Sequence, residues 1–384
     1  MGNGGFYTPF SRQELIPKEE RLEVKLREGS LSIGIPKESH QQEKRISLTP
    51  EAVQVLVANG HEITVESGAG LDANLTDQEY SEAGATISYN SKEVFSKPIV
   101  LKVSPLTDAE IDLLTPNAFL LSTVQINTQK KSYFEKLSAK KVTAIGFEFI
   151  KDSHDQLPVV RLLSEIAGTT SVLLAGELLA NTNGGNGVLM GGIAGVRPTE
   201  IVILGAGTVG EYASRAALGL GANIRVFDES LSRLRRLQTS LGVRVSTSML
   251  DPKELEKSLM RCDVAIGALR GNGRTPCVVS EKMVQKMKPG TVIIDLSIDN
   301  GGCFETSEIT THTQPIIIKH DVIHYAVPNI TSRVARTSSK ALSNFFMPYL
   351  LTIAKDGGFE RVIKNDSGLR SGIYLYHGLL TKKR

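Results

Sequence analysis

Residues 200–230 read EIVILGAGTVGEYASRAALGLGANIRVFDES, and this stretch decides the fold. The apolar run Ile201 to Leu204 meets Gly205, Gly207 and Gly210, and a helical segment then leads to a second apolar run ending at Asp228. The glycines of such a triplet serve three separate purposes, namely a tight turn, close approach of a ligand to the backbone, and close packing of helix on strand. The helix N-terminus adds unpaired N–H groups and a positive dipole, which suit a pyrophosphate. Asp228 lies 18 residues beyond Gly210, where it would accept hydrogen bonds from adenosine ribose hydroxyls. The triplet alone is weak, because helix packing also explains it; with strand, helix and acid in order it reads as a dinucleotide fingerprint. The acid favours NAD over NADP, whose 2′-phosphate would meet a negative charge. Arg225, Arg233, Arg235 and Arg236 weaken that preference without reversing it.

Working outward, the same alternation of short apolar runs and helical segments continues in both directions, which argues for parallel sheets with helices on their faces. Downstream come DVAIGA, TVIIDLSI and PIIIKHDVIHYAV; upstream, from Leu31, come SIGIP, EITVE, PIVLKV, AFLLSTV and VTAIGFE. Between the two series a long helix is expected from Pro158 to Leu179, followed by the glycine-dense ANTNGGNGVLMGGIAGVRPTE, a good domain connection. The chain of 384 residues is long enough for two cores. The expected division is an extension over 1–30 with a short amphipathic helix around Gln13 to Arg27, a first domain of 31–158 plus 337–384, and a second of 159–336.

Composition excludes several function classes. With 41% hydrophobic and 22% charged residues and a net formal charge of +3, the chain is ordinary for a globular protein and does not point to a nucleic-acid partner. Cys262, Cys277 and Cys303 are too few and scattered for a disulfide framework, so a reducing compartment, the cytoplasm, is expected. The first thirty residues carry no apolar signal region, and Phe6 stands where a myristoylation signal needs Ser or Thr. No run of membrane-spanning length is free of charge or breakers. His61, His320 and His324 flank strands without metal-ligand spacing, so no metal is expected.

Three places carry candidate chemistry. Arg45, in the charged loop before the helix capped by Thr49 and Pro50, can clamp a carboxylate bidentately or form a surface ion pair with Glu38 or Glu43. Lys102 ends an apolar strand, where open parallel sheets bind ligands, although a snorkelling lysine reads the same. In VIIDLSIDNGGCFE, residues 292–305, a buried strand carries Asp295 and Asp299 and breaks into glycines. Asp295 shares strand parity with Ser297 and Asp299 and is expected to be a structural carboxylate bonded to nearby backbone. Asp299 stands at the strand's mouth.

Taken together, GIPKESHQQEKRISLTPEAV, GHEITVESGAG, SEIAG, GVLMGGIAGV, ILGAGTVG and IDLSIDNGGCFE resemble the alanine dehydrogenase and pyridine-nucleotide transhydrogenase alpha-subunit family. GGNGVLMGG and DNGGCFE look closer to the alanine dehydrogenase branch, ITSRVA at 330–335 to the transhydrogenase branch. The resemblance covers about Leu31 to Gly358. It implies an α/β protein of two Rossmann-like, doubly wound parallel-sheet domains with an inter-domain cleft, binding NAD. By position, Ser164, Asp228, Arg233, Leu269, Arg270, the loop Leu296, Ser297, Ile298 and Asp299, and Val327 and Asn329 match the family's nucleotide contacts. Asp299 falls on its active-site aspartate and Arg45 on its substrate-carboxylate arginine.

Two positions depart from alanine dehydrogenase. Ser104 stands where those enzymes carry a second lysine, two residues after the one matching Lys102. Gln125 stands where they carry an acid/base histidine, and no histidine occurs between His61 and His154. The resemblance implies NAD-dependent oxidative deamination of a small L-amino acid, most simply L-alanine to pyruvate and ammonia, by a homo-oligomer (dimer or hexamer). Arg45 would clamp the carboxylate, Lys102, Ser104 and Gln125 would line the carbonyl or imine, and Asp299 would act at amine and water. The departures keep open a transhydrogenase-like NAD(H) subunit passing hydride to a membrane partner, or a silent NAD-binding paralogue.

Overall fold

The computed structural model describes residues 29–40, 42–271 and 273–381. The helix expected between Gln13 and Arg27 lies outside them. The chain divides into two compact units, Met1–Val160 with Ala335–Arg384, and Arg161–Val334.

Before the long helix Pro158–Leu178, the chain forms β1 (Ser32–Ile35), β2 (Glu62–Glu66), β3 (Thr86–Ser88), β4 (Ile99–Leu101), β5 (Phe119–Ser122) and β6 (Thr143–Gly146). After it come β7 (Glu200–Leu204), β8 (Asn223–Asp228), β9 (Ser246–Met249), β10 (Val264–Gly267) and β11 (Val292–Asp295), then β12 (Ile316–Lys319) and β13 (Val322–Tyr325). Two short strands close the chain, β14 (Ile373–Tyr376) and β15 (Leu379–Leu380).

In the first unit the strands lie in the order β15-β14-β6-β5-β4-β1-β2-β3. β1 pairs in parallel with both β2 and β4, so the winding direction reverses between β1 and β4. Strands β4 and β6 are buried on both faces, as sheets covered by helices on each side require. The helix Ala335–Lys355 returns to this unit: Ser339 and Ser343 hydroxyls accept the N–H of Ile46 and Thr49 at 2.9 and 3.0 Å. Thr49 does precede a helix with proline in its first turn, but its side chain makes no cap bond and meets Ser343 instead. At the C-terminus β14 adds antiparallel to β6 and extends the sheet.

The second unit has the order β12-β13-β11-β10-β7-β8-β9, reversing between β7 and β10. Two expectations fail locally. PIIIKHDVIHYAV is two antiparallel strands, β12 and β13, because His320 and Asp321 both take positive φ, 52° and 59°, the geometry of a tight hairpin turn. The strand VIIDLSI stops at Asp295, and Ile298–Asn300 is a 3₁₀ turn, so Asp295, Ser297 and Asp299 do not share a strand face. The helix Pro158–Leu178 has the length and mean hydropathy of a membrane span, although it carries Arg161, Glu165 and Glu177 and 44% of its apolar window is buried.

Candidate active site

Both reversal points carry the chemistry-bearing loops. In doubly wound sheets ligands bind beyond the C-terminal strand ends where the order reverses, because adjacent connections there leave to opposite faces. The glycine turn follows β7, and Leu269 and Arg270 follow its neighbour β10. In the first unit the Arg45 loop follows β1, and Lys102 directly follows β4.

The three glycines of the fingerprint are separable by what a Cβ would meet. At Gly205, with φ +114°, it would lie 2.5 Å from the Ala268 carbonyl, and at Gly210 only 1.8 Å from the Gly205 carbonyl. At Gly207 it would meet nothing within 4 Å. Gly207 therefore keeps space open before the helix Thr208–Gly219, which starts without a side-chain cap. Open space against an uncapped first turn fits a dinucleotide pyrophosphate. Gly168 serves the same corner: a Cβ there would lie 2.3 Å from the Val209 carbonyl.

Asp228, 2% exposed, holds this turn in shape. Its Oδ2 accepts the Ala206 N–H at 2.7 Å and its Oδ1 the Ser230 N–H at 2.7 Å. Arg233 Nε donates to both oxygens at 2.9 and 3.1 Å. Of the other arginines, Arg236 donates to the Ala206 carbonyl at 3.2 Å, Arg235 is exposed, and Arg225 turns away to the Ser258 hydroxyl at 2.9 Å.

Asp295 plays the matching part after β11. It is 1% exposed, and its carboxylate accepts the N–H of Ser297 and Cys303 at 3.0 Å each and of Phe304 at 3.4 Å. Burial raises its carboxyl above the ordinary range, with these bonds opposing the shift. Gly302, with φ +71°, brings the backbone so close that a Cβ would lie 2.7 Å from Asp295 Oδ2. The loop so folded buries Ile298, joins Ser297 Oγ to the Leu269 carbonyl at 2.8 Å, leaves Leu296 half-buried and presents Asp299 exposed. Arg270 is exposed, Ser164 half-buried on the long helix, Val327 buried, and Asn329 half-buried with φ +59°.

In the first unit Lys102 is 0% exposed, which excludes a snorkelling side chain. Its Nζ reaches Ser104 Oγ at 2.9 Å, Glu38 Oε2 at 3.1 Å and Glu110 Oε1 at 3.5 Å. Glu38 also accepts the Ser104 hydroxyl and the N–H of Val103 at 2.6 Å and Ser104 at 3.2 Å. Arg45 pairs with Glu43 at 2.6 Å, through its Nε also at 2.7 Å, but the pair is buried rather than on the surface. Gln125 follows β5, exposed, with φ +46°, and gives its N–H to Glu148 Oε1 at 3.2 Å. Glu110 and Glu148 were not singled out in the sequence. Glu110 was visible only as the fourth residue of a Thr107-x-x-Glu capping box, and nothing local marks Glu148. Among the described residues no cluster of His, Cys, Asp and Glu fits a metal ion.

A glycine turn and a buried lysine, each at a sheet's reversal point, define a doubly wound α/β protein of the dinucleotide-fingerprint class. The chain belongs to the alanine dehydrogenase/PNT family: the family's N-terminal domain matches residues 34–167 and its C-terminal domain 171–383. The alanine dehydrogenase of Methanococcus maripaludis is 39% identical over 352 residues, 91% of this chain and 94% of its own length. A solved L-alanine dehydrogenase is 36% identical and superposes with a TM-score of 0.86, covering 91% of this chain and 97% of its own. A transhydrogenase from Sinorhizobium meliloti shares the fold at a TM-score of 0.77 and 23% identity, over 91% of this chain and 98% of its own.

Proposed function

We propose that the chain catalyses L-alanine + NAD⁺ + H₂O → pyruvate + NH₄⁺ + NADH + H⁺, in the cytoplasm and as a homo-oligomer. The observation that carries this reading is identity of 36–39% with alanine dehydrogenases over more than nine-tenths of both chains. The nicotinamide of NAD supplies the hydride acceptor. Gly205, Gly207 and Gly210 hold its pyrophosphate, and Asp228, paired with Arg233, holds the adenosine ribose. Ser164, Leu269, Arg270, Leu296, Ser297, Ile298, Val327 and Asn329 complete the nucleotide contacts.

Arg45 binds the amino-acid carboxylate, and Lys102, in the company of Ser104, donates to the carbinolamine or carbonyl oxygen that the attacking water supplies. Gln125 orients that oxygen or the hydrolytic water but cannot exchange protons near neutrality. Asp299 holds the ammonium group and orients the water that attacks the imine. The test is absorbance of the reduced cofactor with L-alanine and NAD, and with pyruvate, ammonia and NADH. Turnover in both directions is expected; tight NADH binding with no turnover of any small amino or oxo acid removes the reading. Gln125 itself favours a second one, hydride transfer to a separate redox partner, which needs no acid/base group. That reading gains if purified protein turns over only with such a partner added.

A further inference from the structure

Lys102 raises a question of charge balance. Its ammonium is wholly buried, and a buried ion is tolerated only when paired and hydrogen-bonded. Two carboxylates, Glu38 and Glu110, meet this one ammonium, at 3.1 and 3.5 Å. Next to them, Glu43 and Arg45 neutralise each other. The Lys102 cluster thus carries one surplus negative charge in low dielectric, which raises the proton affinity of both carboxylates.

Geometry decides which acid can take up a proton from Lys102. Glu110 meets Lys102 directly at 3.5 Å, and its Oε2 accepts the Thr107 N–H at 2.7 Å and the Thr107 hydroxyl at 3.1 Å, capping the helix Asp108–Leu113, whereas Glu38 is also joined to Lys102 through the Ser104 hydroxyl. Glu38 faces Lys102 and the Ser104 hydroxyl at the end of β4, Glu43 with its Arg45 in its own loop, and Glu110 across Lys102. Burial raises the Glu38 carboxyl, Lys102 pulls it down, and Glu43 raises it further.

We propose that Glu38 is the positioning residue of the substrate pocket, holding the Lys102 ammonium and exchanging one proton with it through the hydroxyl of Ser104. The exchange balances: a proton leaves Lys102 Nζ for Ser104 Oγ while the serine proton passes to Glu38 Oε2. A neutral amine, an intact hydroxyl and a neutral acid result. Ser104 is thereby the link in a relay, and the relay supplies the proton exchange that Gln125 cannot. The inference rests on the dehydrogenase reading, which gives Lys102 its contact with substrate.

The test compares wild type with Glu38→Gln, Glu38→Asp and Ser104→Ala in the full chain, across pH, with L-alanine and NAD. Glu38→Gln is expected to lower kcat/KM about 10²-fold and to remove the acid limb of the profile. Glu38→Asp should restore at least about a tenth of the rate with the limb displaced, and Ser104→Ala should lower kcat more than it raises KM. A Glu38→Gln profile that is only scaled down, with the wild-type limb intact, overturns the proposal. NADH fluorescence on binding reports that each variant is folded.

A readout independent of turnover separates this proposal from the reaction itself. A carboxyl raised in the fold contributes stability present below its unfolded value and lost as pH rises through the folded one. The melting temperature of wild type should therefore fall relative to Glu38→Gln as pH climbs above the ordinary carboxylate range. A difference constant with pH overturns the proton-holding role. Wild type inactive on L-alanine but showing that divergence removes the substrate reading and leaves Glu38 as the proton holder.

Discussion

At Gln125 the backbone is left-handed, with φ +46° and ψ +51°, a region non-glycine residues visit at a cost of about 1 kcal/mol. The Glu148 carboxylate pins it there by accepting the N–H of Val124 at 2.8 Å and of Gln125 at 3.2 Å. Histidine is among the residue types that tolerate this region, so Gln125→His should fold without added strain. The imidazole would place a titrating group where the amide cannot exchange protons near neutrality. We expect kcat/KM at pH 8 to rise about tenfold, with a new inflection near 6.5, measured as a pH–rate profile. An unchanged profile means that proton transfer is handled elsewhere, as Glu38 would do. Asp295 shows a different use of a carboxylate: three N–H groups converge on it, and the acid holds the loop that presents exposed Asp299.

At the scale of elements, the turn after β7 offers a clean separation of binding from folding. A side chain at Gly207 enters open space, whereas one at Gly210 collides with the Gly205 carbonyl. Gly207→Val is expected to abolish NADH binding with a melting temperature within about 2 °C of wild type. Gly210→Val should destabilise by roughly 1–3 kcal/mol of overpacking or more, lowering the melting temperature by about 2–12 °C. Fluorescence titration and calorimetry read the two effects; equal melting shifts would refute the division. This turn was legible in the sequence because its demands are local: strand, glycines, helix and acid fall within Glu200–Asp228. The β12–β13 hairpin was not, since a continuous apolar run looks the same whether one strand or two, and only the left-handed pair His320 and Asp321 divides it. The end of β11 was hidden for a related reason, because Leu296 and Ile298 are apolar whether in a strand or a 3₁₀ turn. The contacts of Lys102 with Glu38 join residues 64 apart and leave no local mark. Gln125 and Ser104 became informative only beside a resembling family.

At the scale of the molecule, the chain is one continuous unit inserted into another. Arg161–Val334 runs unbroken, while the first unit is made of two segments on either side of it. The inserted unit has a complete seven-stranded sheet. Hydrophobic clusters fill both faces of that sheet, one around Ile203, Val226 and Ile294 and the other around Val202, Phe227 and Ile293. A segment of that size with two covered faces can bury enough apolar surface to fold alone. Residues 158–334, which keep the helix Pro158–Leu178 whole, should therefore fold independently and bind NADH within about tenfold of the full chain's affinity. NADH at a hundred times its dissociation constant should stabilise this fragment by about 2.7 kcal/mol, raising its melting temperature by about 5–11 °C. The converse piece needs an artificial join between residues 157 and 335, and even folded it should show no NADH-dependent shift. Fluorescence titration of both pieces decides the matter. An unfolded 158–334, or an NADH shift carried by the converse piece, would show that the glycine turn depends on the rest of the chain.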